Sequence, residues 1–150
     1  MDNKQVIDAL NKVLSCEWAG SIQYLQHSFL VHGLWREPYK EFFTDRAREC
    51  RRHARLMGEK IVALGGLPTV EPAPIKQSRE LEEMLHQDLE LEKMALAAYV
   101  EALKLAHDDV ALRHMLESLI EEETRGVEEL EKCLSLKTVK MKEKEIRLKA

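Results

Sequence analysis

Five side chains with metal-binding chemistry interrupt the apolar faces of what read as helices. Ile7, Leu10, Val13 and Leu14 lead to Glu17, after which Tyr24, Leu25 and Phe29 resume the stripe. Phe43, Ala47, Met57, Ile61 and Leu64 enclose Cys50 and His53. Leu81, Leu85 and Leu89 lead to Glu92, followed by Leu96, Tyr99 and Leu103. Leu112, Met115, Leu116, Leu119 and Ile120 lead to Glu123, followed by Val127, Leu130 and Leu134. Carboxylate and imidazole groups are the usual ligands of divalent metals in protein sites. Three carboxylates in an apolar interior are very costly without a compensating cation. A bound divalent metal is the simplest one. Without it, at least one carboxyl must be protonated or pair with a cationic His53; on that basis Glu92→Gln is expected to be neutral or stabilising in the metal-free chain. Cys50 has two readings: a thiolate ligand, which favours softer metals such as zinc, or a small buried hydrophobe.

These residues lie near the middles of four long segments with the i, i+3, i+4 spacing of amphipathic helices. The first runs from about Lys4 to His32, ending at Gly33. The second runs from near Pro38, a good first-turn residue, to Gly65-Gly66. The third follows Ser78, a candidate N-cap, to about Ala106. The fourth follows Asp108 to about Ser135. Helices of similar length packed side by side place all five groups in one central layer. Short links join the first pair and the last pair, so each pair is expected to form an antiparallel hairpin. The stretch GGLPTVEPAPIKQ between the second and third can cross the bundle end to end. One long crossover is the ferritin-like form of a four-helix bundle.

Composition supports an all-α domain. The chain has 150 residues, with 22 Leu and 21 Glu against 19 Val, Ile and Thr, and only 6 Gly and 4 Pro. Helix formers therefore dominate, and the turn residues that an all-β fold needs are scarce. Residues 1–136 read as one domain. Residues 137–150 form a basic tail with six basic and two acidic side chains, read as either a short fifth helix or a frayed end. The remainder carries a net −8, which disfavours nucleic acid as a partner. No apolar run approaches the ~20 residues of a membrane span, so no membrane partner is expected. Three unpaired Cys and the absence of a signal-like N-terminus point to a reducing, cytoplasmic setting. Trp18 and Trp35 read as packing residues, and His27 and the remaining histidines show no spacing that suggests a site.

Over about residues 4–136 the chain resembles the bacterioferritins, within the ferritin-like di-iron superfamily. The resemblance rests on Glu17 in CEWAGSIQYLQH, the run HARLMGEKIVALGGLP from His53, DLELE ending at Glu92, and EEETRGVEELE around Glu123. It implies a site with one Glu from each of two helices and a Glu-x-x-His from each of the other two. Such a site binds two irons and oxidises Fe(II), in a protein that stores iron and commonly forms a 24-subunit shell. Both Glu-x-x-His motifs are altered here. Cys50 stands three before His53, with Glu49 one position away, about 100° round the helix. Gly126 stands three after Glu123, and the neighbouring choice, Glu122, is followed by Arg125 instead.

By resemblance, Glu17 and His53 hold a first iron, with Glu123 bridging. A second iron keeps only Glu92 and Glu123 unless Cys50, Glu49 or Glu122 joins, and Gly126 is expected to leave a void. The expectation is thus one or two metals per chain, iron or zinc, with impaired Fe(II) oxidation. The alternatives are a non-enzymatic structural or single-metal-binding relative, and a rubrerythrin-like peroxide reductase. Bacterioferritins ligate haem through a Met just after the helix-2 Glu; Arg51 stands there, so no haem is expected.

Overall fold

The computed structural model describes residues 2–134, and the tail from 137 onward lies outside them. The described residues form four helices: α1 (Asn3–Leu30), α2 (Arg36–Ala63), α3 (Leu81–Leu105) and α4 (Val110–Cys133). Among the described residues there is no strand, and no helix is long and apolar enough to cross a membrane.

Local chemistry sets the helix ends. Asp2 caps α1 by accepting from the amides of Lys4 and Gln5. Asp109, one residue later than expected, caps α4 by accepting from the Leu112 amide at 3.0 Å. Glu80, not Ser78, takes the N-cap position before α3; the Ser78 hydroxyl instead accepts from the Glu80 amide in a local turn. At the end of α2, Gly65 adopts φ +89°, which L side chains rarely adopt. The Gly65 and Gly66 amides then reach back to the carbonyls of Val62 and Ile61, closing a Schellman motif.

The crossover, residues 64–80, is strapped along α1. Asn11 exchanges hydrogen bonds with the backbone of Leu67 and Thr69, the Trp18 indole donates to the Thr69 carbonyl, and the Lys76 amide donates to Gln23. These contacts ascend α1 in order, so the crossover returns the chain to the end where α1 finishes. Consequently α3 starts beside the end of α1 and runs antiparallel to it, as Gln23–Asp88 and Glu17–Tyr99 hydrogen bonds show. α4 likewise runs antiparallel to α2. This is the ferritin-like topology.

The interior has two apolar clusters. One, built on Leu10, Val13, Leu14, Met57, Ile61, Tyr99, Leu112 and Leu116, fills the half near the start of α1. The other, built on Tyr24, Phe43, Met84, Leu85 and Leu130, fills the opposite half. Glu17, His53, Glu92 and Glu123 lie buried at the level between them. Leu25 and Phe29 depart from expectation: both are exposed, together with Ile22. Leu25 lies about 100° round the helix from the fully buried Tyr24 and so leaves the core face. Trp35 is also exposed, as a loop residue just before α2.

A buried network that the helical pattern did not reveal ties α1 to α3. Asp88 accepts from Gln23 at 2.9 Å and faces His27 Nδ1 at 3.0 Å, with His27 and Asp88 fully buried. Removing one partner strands the other in the core. Asp88→Ala should therefore lower stability by about 3 kcal/mol in urea unfolding; a loss near zero would show that the network does not hold the pair of helices.

Candidate metal centre

His53 is the hub of the polar layer. Its Nδ1 faces Glu123 Oε1 at 3.1 Å and Glu17 Oε1 at 3.5 Å. Its Nε2 faces Glu122 Oε2 at 2.8 Å and Glu49 Oε2 at 3.7 Å. The two ring nitrogens thus address an inner and an outer carboxylate pair. Among the described residues, two groups of three bring ligand atoms within 4.8 Å of one another: Glu17–His53–Glu123, all buried, and Glu49–His53–Glu122, at the surface. Arg52 already lies in the outer group, bonded to both Glu49 and Glu122 and 3.2 Å from His53 Nε2.

The inner group fits a divalent ion. Glu123 Oε2 is buried and has no hydrogen-bond partner among the described residues. A cavity of about 30 Å³ lies beside the group, lined by Arg46, Glu49, Cys50, His53, Glu92, Glu122 and Glu123 but not by Glu17. The Tyr99 hydroxyl donates to Glu17 Oε1 at 2.8 Å and fixes that carboxylate. Metal-free, His53 itself supplies positive charge: burial disfavours its cation, but Glu123, Glu17 and Glu122 outweigh this and hold its pKa at about 11.

Glu92 is engaged differently. Its Oε1 accepts from Arg46 Nη2 and from the Tyr24 hydroxyl, both at 2.7 Å. Burial and the Glu123 charge push the Glu92 carboxyl up to about 8, while Arg46 and Tyr24 pull the other way. For Arg46, burial opposes the charge, but Glu92 and Tyr24 more than offset it, and the guanidinium stays cationic. Gln at 92 keeps an oxygen that can accept from Arg46 and Tyr24, and it resembles a carboxyl held up to about 8, so a neutral or stabilising effect near pH 7 is still expected in the metal-free chain.

Gly126 leaves no void. A Cβ built there would stand 2.1 Å from Arg46 Nη2, because the guanidinium fills the space beside the glycine. Position 50 is equally tight: a Cβ on Gly20 would stand 2.6 Å from Cys50 Sγ. Burial and then the carboxylates of Glu17, Glu92 and Glu123 push the Cys50 thiol well above its ordinary pKa. It is a protonated, packed thiol and belongs to neither group of three.

Arg46, Tyr24 and Tyr99 also belong to the polar layer, although the sequence pattern marks Tyr24 and Tyr99 only as stripe residues. The signal for Arg46 was present: it follows Phe43 by three and precedes Cys50 by four, so it lies on the buried stripe of α2.

Fold and cluster together define the class. Residues 7–139 match the ferritin-like domain family, and the chain belongs to it. It is 31% identical over 116 residues to the bacterial ferritin of Pseudomonas aeruginosa, covering 76% of this chain and 75% of that protein. It is 28% identical over 137 residues to the bacterioferritin of Streptomyces coelicolor, covering 88% of this chain and 81% of that one. A ferritin-like, diiron-carboxylate protein from Bacillus anthracis superposes with a TM-score of 0.86 at 32% identity, covering 89% of this chain and 98% of that one. A dodecameric thioferritin, the bacterioferritin-related protein of Bacteroides fragilis, superposes at 0.83 and 26% identity, covering 96% and 92%.

A metal entering the inner group must displace the proton that His53 carries. Because that proton is held up to pH about 11, binding at pH 7 should release about one proton per ion. Affinity should rise with pH until His53 deprotonates. Calorimetry in buffers of different ionisation enthalpy measures the release; none would exclude His53 as a ligand. In the metal-free chain the same raised pKa contributes stability in full below pH ~6.5, lost as pH rises through about 11.

Proposed function

We propose that this protein binds one divalent iron per chain through Glu17, His53 and Glu123 and serves iron storage, with Fe(II) oxidation impaired relative to a complete di-iron centre. The observation that carries this reading is the buried group of three ligand residues with one unsatisfied carboxylate oxygen, inside a ferritin-like bundle. When bound, iron supplies one-electron redox chemistry. The protein's own part is positional. Glu122 accepts from His53 Nε2–H and turns the Nδ1 lone pair inward, in the carboxylate–histidine–metal arrangement that fixes tautomer and ring orientation. Tyr99 holds Glu17, and the apolar clusters above and below keep bulk water from the layer.

The donor set is two carboxylates and an imidazole. It suits iron(II) and also accepts zinc, which competes by geometry and availability rather than through Cys50. A structural, single-metal subunit is the second reading, favoured by Arg46 at Glu92. Peroxide reduction has no observation in its favour. No haem binding is proposed, because Arg51 stands at the ligating position beside the groove of Ile22, Leu25 and Phe29. Those exposed apolar side chains support assembly of copies of this chain, as a 24-subunit shell or as a dodecamer like the Bacteroides relative. A Synechococcus relative is a nutrient stress-induced DNA-binding protein, 30% identical over 132 residues. The acidic body of this chain argues against DNA as a partner.

Anaerobic titration with Fe(II), followed by calorimetry and metal analysis, tests the proposal. Wild type should take up one iron per chain. His53→Ala and Glu123→Gln should abolish that uptake, and Glu122→Ala should weaken it by roughly 10- to 100-fold. Uptake unchanged in His53→Ala would overturn the assignment.

A further inference from the structure

Arg46 reaches from α2 across the bundle to α3 and α4. Its Nη2 bonds Glu92 Oε1 at 2.7 Å, its guanidinium carbon lies 5.8 Å from the Tyr24 ring centroid, and its side chain is only 21% exposed. An arginine cannot shed its proton in a protein, so the charge it brings is permanent. It arrives in the layer that holds the buried carboxylates of Glu92 and Glu123. It also arrives where a glycine leaves room. Any side chain at 126 begins with a Cβ 2.1 Å from Arg46 Nη2 and 3.0 Å from its central carbon. Arg46 and Gly126 are therefore mutually dependent: the guanidinium can lie there only because 126 has no side chain.

We propose that Arg46 is the resident second cation of this site. It bonds Glu92, fills the space beside Gly126, and excludes a second metal ion, leaving a one-metal centre with a built-in positive charge. This rests on the reading of Glu17, His53 and Glu123 as the metal site. It also accounts for the unequal satisfaction of the carboxylates: Glu92 has both a cation and a phenol on one oxygen, whereas Glu123 Oε2 has no partner among the described residues. It further implies that restoring an imidazole at 126 fails while Arg46 is present.

The test uses five full-length proteins: wild type, Arg46→Ala, Arg46→Lys, Gly126→His and the double variant Arg46→Ala/Gly126→His. Zn(II) and Co(II) are titrated by calorimetry, with the Co(II) visible spectrum reporting coordination, and thermal unfolding is followed without metal. Wild type should bind one ion. Gly126→His should melt lower than wild type and bind no second ion, since its imidazole meets the guanidinium. Arg46→Ala should melt lower metal-free and regain that loss on adding Zn(II), by a larger shift than wild type shows. The double variant should bind two ions, with a second Co(II) absorption component, and the cost of Gly126→His should be smaller in the Arg46→Ala background. Two ions in wild type would overturn the proposal, as would equal cost of Gly126→His in both backgrounds. That comparison needs no metal, so it remains decisive if wild type binds none, a result that would sink the metal assignment instead. Arg46→Lys guards against misfolding: it should keep the one-ion stoichiometry, and a second ion there would count against charge exclusion.

Discussion

Buried negative charge is the constraint on which this structure depends. Glu17, Glu92 and Glu123 lie in one layer between two apolar clusters, each almost out of contact with solvent. An isolated carboxylate in such surroundings is strongly disfavoured, and three together more so. Every feature of the layer answers that cost. His53 sits between Glu17 and Glu123, Arg46 sits on Glu92, and the phenols of Tyr24 and Tyr99 donate to Glu92 and Glu17. The outer carboxylates Glu49 and Glu122 are answered in the same way by Arg52.

The bundle is shaped to let these groups meet. The crossover along α1 makes α3 antiparallel to it, which brings Glu92 and Tyr99 level with Tyr24 and Glu17. Close approach needs small residues: Gly20 lets Cys50 pack against α1, and Gly126 lets Arg46 lie against α4. A side chain at Gly20 would meet Cys50 Sγ, and one at Gly126 would displace the Arg46 guanidinium. The remaining polar pair, His27 and Asp88, stands one turn away from the layer and holds α1 to α3 independently.

Most of the fold was legible in the sequence because it follows from periodicity. Four apolar stripes, a Gly-Gly stop and a proline-rich link are enough to specify helices, hairpins and the crossover. The ionisable interruptions Glu17, His53, Glu92 and Glu123 were legible for the same reason, since a charged residue on an apolar stripe is conspicuous. Arg46 was not, because long cationic side chains are usually discounted as surface residues whose stems only graze the core. Nor did the sequence say that Gly126 would be filled; a glycine reads as missing atoms, and the occupant comes from a different helix eighty positions earlier in the chain. Leu25 and Phe29 were misplaced by one step of the helical wheel, an error that periodicity alone cannot correct.

The proposed consequence is an asymmetric centre within the ferritin-like family. In this reading one half offers Glu17, His53 and Glu123 to an ion that displaces the proton of His53, and the other half carries the Arg46 cation. Anomalous diffraction from crystals soaked anaerobically in Fe(II) tests this most directly. The account predicts a single anomalous peak per chain among Glu17, His53 and Glu123, with Arg46 still bonded to Glu92. Two peaks, with the guanidinium displaced from Gly126 and a metal on Glu92, would contradict it.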